Sequence, residues 1–300
     1  VAFLSIRDDR SDVWVVSATG GSPRRVTRVT DDEAEYAHLR WSPDGKALAF
    51  SVNKSRTRLW RVPVDGGTPT ALTSDHDNVS SPIVSPDGTQ GAFVSDRDGN
   101  NEIYVIAPDG AGLTNLTLNG GSDESPSWSP DGTKIAFASN RDASIRDIFV
   151  MDADGANPQN LTSNVADNDW DPAWSPDGTQ IAFRSNRAPI GLYVMDEDGS
   201  NVVPLLTGVA VVYPALSPDG SKIAYESDAG DGPEISVLDI ATMVVTRLTT
   251  AAVSPVAGAP AWSPDGSTIA FHSRQNGSED VWTMNAADGS GRVPLTGSGD

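Results

Sequence analysis

A chain of 300 residues with 38% apolar side chains can bury a large core, as one repeat-built domain or as two ordinary ones. Its formal net charge of −20 speaks against nucleic acid and anionic membranes as partners, since both need a basic surface. With no cysteine, disulfides, thiol catalysis and Cys-ligated zinc are excluded, and three histidines leave little material for a His-based metal site.

No apolar run approaches the roughly 20 residues of a membrane-spanning helix, so no membrane insertion is expected. The first residue is Val1 rather than Met, which reads as a mature or trimmed form whose leader is not present in this chain.

In chain order, residues 1–27 hold three short β-prone segments, VAFLS, VWVV and RRVT. The same three then recur six times, each time preceded by a fourth segment of the type Pro-x-Trp and by the tetrapeptide Ser-Pro-Asp-Gly. That tetrapeptide spans residues 42–45, 85–88, 129–132, 175–178, 217–220 and 263–266, at spacings of 43, 44, 46, 42 and 46 residues. After it come LAFS, GAFVS, IAFAS, IAFRS, IAYES and IAFHS, then LWRV, IYVI, IFVM, LYVM, ISVL and VWTM. A Leu-Thr pair closes the unit, as at Leu72-Thr73, Leu116-Thr117, Leu161-Thr162 and Leu248-Thr249.

These segments alternate apolar and polar residues, are rich in Val, Ile and aromatics, and are separated by Gly, Asp, Asn and Pro. That is a pattern of strands and turns without helical periodicity. Four strands (a, b, c and d) in a unit of roughly 40–45 residues predict an all-β protein, a β-propeller of four-stranded antiparallel blades.

Ser-Pro-Asp-Gly falls between strands a and b. Proline presets φ at the first turn position, the Asp accepts a nearby N–H, and Gly supplies φ > 0. A catalytic Ser and Asp repeated six times would be redundant, whereas a turn must be repeated. Strand b usually ends in Ser-x-Arg, and an acid precedes strand c. Arg7 with Asp12, Arg97 with Glu102, Arg141 with Asp147 and Arg274 with Asp280 are therefore expected as surface ion pairs, worth about 0–1 kcal/mol each.

The string PxWSPDGxxIAFxSxR…IYxM…DG…LT resembles the repeat of TolB-type β-propellers. These are relatives of the WD-repeat propellers that lack the Gly-His and Trp-Asp marks. The resemblance covers essentially the whole chain. It implies a disc of blades around an axial channel, in a family of periplasmic scaffold proteins, secreted proteins of unknown role and propellers that gate prolyl-oligopeptidase-like enzymes. A bacterial periplasmic or secreted location is the corresponding expectation.

Residues 1–27 supply strands b, c and d without a preceding a, and six complete units follow. The expectation is one propeller domain over residues 1–300 with seven blades, the first lacking its innermost strand; the alternative is six blades with a loose N-terminal flap. An unpaired edge in the first blade is a template for strand addition, by a continuation of the chain or by another protein.

No GxSxG elbow, HExxH or GxxxxGK[ST] is present, so no catalytic constellation is found. The loops from d to a and the first residues of strand a are expected to line one mouth of the channel. Aligned on PxW they single out Tyr36, His38, Asp123, Glu124, Asp169, Trp170, Asp171 and Tyr213, together with His76. One acidic side with scattered aromatics suits a basic peptide, a sugar or a cation; the plainer reading is solvated loop residues and packing aromatics. The tract DRDGNNE places Asp96, Asp98, Asn100 and Glu102 at alternate positions, as in a calcium loop, although its spacing is not that of an EF-hand and a tight turn explains it without metal. No other cofactor is expected. The favoured function is a non-catalytic scaffold binding a protein or peptide at the channel mouth or the open blade edge. The alternatives are a carbohydrate-binding or lyase-like propeller, and a structural subunit of an extracellular assembly joined by strand donation.

Overall fold

The computed structural model describes residues 1–7, 10–27, 35–53, 57–74, 78–142, 144–163, 167–208, 211–228, 232–250, 257–274 and 280–297. Every regular element among them is a β-strand. The fourth blade shows the plan. Strand a (Asp123–Trp128), b (Lys134–Ser139), c (Asp147–Asp152) and d (Gln159–Asn160) pair in sequence order, each antiparallel to the next.

The Phe of the IAF segment faces the aromatic of strand c. Phe137 stacks on Phe149 with ring centroids 5.7 Å apart, and Phe93–Tyr104 and Phe183–Tyr193 repeat this at 5.8 and 6.0 Å. Phe50, Phe93, Phe137 and Phe183 are all fully buried, so this alternating position carries the core.

Six sheets have four strands, and the first has three, Ala2–Arg7, Arg10–Val15 and Arg24–Arg25. The a strands touch one another from the second blade to the fifth and again between the sixth and seventh, which puts them at the centre of the ring with the d strands outside. The three-stranded sheet is a true blade. Its Val13 and Val26 share a core with Leu48, Phe50 and Val62 of the second blade, and its Phe3 and Val16 pack on Leu295 of the last. The ring therefore closes with seven blades, the first without an innermost strand among the described residues, and the six-bladed alternative is set aside.

The Ser-Pro-Asp-Gly turns are alike in all six places. The Ser hydroxyl donates to the Asp Oδ1 at 2.6 Å each time. The same Ser oxygen accepts the N–H five residues on, and the Asp accepts the N–H two residues on. Both side chains are consumed in closing the turn. The turns also stack from blade to blade. A Cβ built on Gly88, Gly132, Gly178, Gly220 or Gly266 would lie 2.9–3.8 Å from the Cδ of the proline in the preceding turn. The motif is thus both hairpin and spacer.

The acids of the expected surface ion pairs are buried instead of exposed; Asp12 pairs with Arg25, and the Arg7 side chain lies outside the described residues. Asp12, Glu102, Asp147 and Asp280 are at most 5% exposed. Each accepts the hydroxyl of the threonine that closes its unit, from Thr27, Thr117, Thr162 and Thr296. That hydroxyl in turn accepts the N–H of the second residue of strand c, as from Ile103 and Ile148. The short threonine meets the acid within the sheet, while a guanidinium reaches further. Arg141 lies 4.9 Å over Phe137 and Phe149 and bonds Asp123 at 3.0 Å.

The axial channel as candidate functional site

Each inner strand carries a β-bulge, where the register between strands a and b shifts. At every bulge one non-glycine residue is left-handed: His38, Ser81, Ser125, Asp171, Tyr213 and Ala259, with φ between 48° and 55°. Five of the six precede a proline, a position that already has restricted backbone freedom. Equivalent in backbone but chemically different, these six positions form one circle of the ring. Ser125 donates to Asp171 of the next blade at 2.9 Å across it.

A second circle comes from the variable residue of IAFxS, which pairs with strand a just beyond the bulge. It reads Ser51, Val94, Ala138, Arg184, Glu226 and His272. The charged members fall in consecutive blades. Arg184 bonds Asp171 at 3.0 Å and lies 5.7 Å from the Trp170 ring. Glu226 accepts the Ala259 N–H at 3.3 Å. A Cβ on Gly258 would overlap Glu226 Oε2 and His272 Nε2, so only glycine lets the two side chains close on this strand. The sequence reading missed these residues, although the x of IAFxS was there to be compared.

A cavity of about 820 Å³ lies among the inner strands. Trp174, Tyr213, Leu216, Trp262 and several prolines line it, with Arg40 as its one cation. Arg40 comes from the second blade, is exposed, and donates to Leu39 O at 3.0 Å.

The residues picked from the sequence are dispersed. His38 is exposed at its bulge, with Nδ1 3.0 Å from Ser51 Oγ. Tyr213 is 61% exposed and Asp171 half-buried. Glu124 takes a bidentate contact from Arg146, at 3.1 Å for each bond. Trp170 is half-buried against the core shared by the fourth and fifth blades.

Asp123 and Asp169, expected at the mouth, are instead wholly buried, bonded to Arg141 at 3.0 Å and Arg187 at 2.6 Å. They are the first residues of strand a and face inward between strands, where desolvation pushes the Asp169 carboxyl up. The Tyr36 backbone pairs with Val52; its side chain and all of His76 lie outside the described residues.

The DRDGNNE oxygens diverge. Asp96 accepts from Asn78, Asp98 from Tyr104 and Asn115, and Glu102 from Asn100 and Thr117. Among the described residues no group of three or more His, Asp or Glu side chains is arranged to hold a metal ion.

These features define a class: a ring of antiparallel four-stranded blades with a bulged, chemically varied inner wall. A family model described as the TolB beta propeller domain matches residues 124–189 and 188–298, and the Tricorn protease N-terminal beta propeller domain matches residues 54–144. The chain belongs to the TolB-type β-propeller family.

Tricorn protease homolog 1 of Streptomyces coelicolor is 38% identical over 73 residues, which is 24% of this chain and 7% of that protein. The crystal structure of TolB from Acinetobacter baumannii aligns with a TM-score of 0.63 at 25% identity, covering 88% of this chain and 63% of that one. The chain thus spans less than two thirds of either. An oligogalacturonate lyase from Vibrio parahaemolyticus aligns with a TM-score of 0.71 at 15% identity, over 98% of this chain and 84% of that one, a likeness of fold alone.

Proposed function

We propose that this propeller is a non-catalytic scaffold that binds a protein or peptide segment at the mouth of its channel. The observation that carries the reading is the cavity of about 820 Å³, whose wall of Trp174, Tyr213, Trp262 and prolines surrounds the single cation Arg40. Flat aromatic and proline surfaces suit an extended peptide, and a lone cation fixes its polarity by meeting a carboxylate. The six Ser-Asp pairs offer no nucleophile, because both side chains are already engaged in their turns. A periplasmic or secreted location in a bacterium goes with this reading; no helix among the described residues is long and apolar enough to cross a membrane.

The test is selection of binders from a random peptide display library, followed by titration against Tyr213→Ala and Arg40→Ala. Peptides should bind each variant at least about tenfold more weakly, a loss of about 1.4 kcal/mol. A library without binders, combined with stabilisation by oligosaccharides, would replace this reading with the carbohydrate-binding one, which the exposed ring of Tyr213 favours. A structural role by strand donation rests on the inner edge of Ala2–Arg7, which pairs only with Arg10–Val15 among the described residues.

A further inference from the structure

The end of strand a and the start of strand b form one cross-strand pair in each of the six four-stranded blades. It is Trp41↔Leu48, Trp128↔Ile135, Trp174↔Ile181, Leu216↔Ile223 and Trp262↔Ile269. In the third blade the pair is Val84↔Gly91. Both members are small at once, in the one place where the other five blades put two large side chains.

The missing bulk has a defined location. Trp128 shares a buried core with Ala92 and Ile103 of the preceding blade, Trp174 shares one with Ala136 and Ile148, and Trp262 packs against the core that holds Ala224 and Ile235. The corresponding surface of the second blade is Ala49 and Leu59. There, between the second and third blades, lies a cavity of about 210 Å³ whose wall includes Ala49, Leu59, Leu72, Val84, Gly91 and Ile106.

The blades do not close over the gap. A Cβ on Gly88 would sit 3.4 Å from Pro43, within the 2.9–3.8 Å found between the other turns, so the spacer holds the second and third blades at the ordinary distance. Nor does the backbone demand glycine at position 91. Gly91 is outside the left-handed region, and a Cβ there would meet nothing nearer than Ile83 O at 3.7 Å. At the rim stand Asp44, Asp87, Arg61 and Gln90, which give an apolar floor a polar mouth.

We propose that this gap between the second and third blades is a binding site for an aromatic group of indole size. An apolar cavity of about 150 Å³ lined by aliphatic side chains stays dry and takes up benzene, so this larger one admits a bicyclic ring. The occupant is what the fold itself places in the equivalent gap of three other blades. The site is separate from the channel and does not depend on the function proposed for it.

Indole is the probe, used on the full chain by calorimetric titration and thermal melting. At a hundred times its dissociation constant it should raise Tm by about 5 °C. Val84→Trp fills the gap from within, and it should raise Tm without ligand and abolish the response to indole. Gly91→Ile narrows the floor and should weaken indole at least about tenfold, and it keeps the test available if Val84→Trp folds poorly. N-acetyltryptophanamide separates the sources: binding of both probes assigns the gap to a side chain of a partner, binding of indole alone to a free small molecule. No heat and no Tm change with either probe on the folded wild-type chain would overturn the proposal, as would undiminished indole binding by both variants.

Discussion

Ser125 donates its hydroxyl to Asp171 of the neighbouring blade at 2.9 Å, and both residues are left-handed, with φ of 53° and 55°. The bond joins two bulges that share a backbone conformation and differ in side chain. Strain is thus set into the inner strands at one level of the ring, and the chemistry of the wall changes from blade to blade without disturbing it.

That strain is measurable where the side chain contributes least. Ala259 is exposed, has φ of 48° and carries only a methyl group. Ala259→Gly should remove the steric cost of the left-handed conformation and stabilise the chain by about 0.5–1 kcal/mol, read from urea unfolding midpoints. Asp171→Gly should show less gain, because it also gives up the bonds to Ser125 and Arg184.

The turns make the fold sensitive to acid. Bonds from Ser129, Ser217 and Ser263 and then from backbone N–H groups hold Asp131, Asp219 and Asp265 down to about 2. A folded pKa below the unfolded value of about 3.9 means stability present above that pH and lost as pH falls toward 2. Asp169 and Glu102, raised mainly by desolvation, act in the opposite sense but are fewer. Differential scanning calorimetry should show a level Tm down to about pH 5 and a fall from pH 4 to pH 2. Asp131→Asn should make that fall shallower.

The hairpins between strands c and d rest on the preceding blade. Gly199 has φ of +85°, and a Cβ there would lie 2.8 Å from Leu161 O. Gly199→Ala meets both a backbone penalty and a clash with another blade's backbone, and should cost about 2–4 kcal/mol in chemical denaturation. Gly45→Ala, with φ of +67° and no atom within 4 Å, should cost less, about 1 kcal/mol.

Trp170 is neither a free binding platform nor a full core residue. It packs on the shared core with part of its ring and presents the rest to Arg184 at 5.7 Å. Trp170→Ala should cost about 2 kcal/mol, between the near-zero of an exposed indole and the 3–5 kcal/mol of a buried one. Arg184→Lys should keep most of that stability while weakening the contact over the ring.

The repeat unit, its four strands, the Ser-Pro-Asp-Gly hairpin and the blade count were legible in the residues. Each is local: alternation over five or six positions, a turn tetrapeptide, and a period that returns without gaps. Even the incomplete first blade could be counted, because a missing Pro-x-Trp is a missing segment. What the residues did not show is which way side chains face once a bulge shifts the register. That shift leaves His38, Asp171 and Tyr213 left-handed at the bulges and Asp123 and Asp169 buried against arginines. Val84 and Gly91 could be seen as departures from the repeat. Only the neighbouring blade, held at its distance by Pro43 against Gly88, makes them a cavity. Local pattern sets the strands, whereas burial, ion pairing and empty space are properties of two blades together.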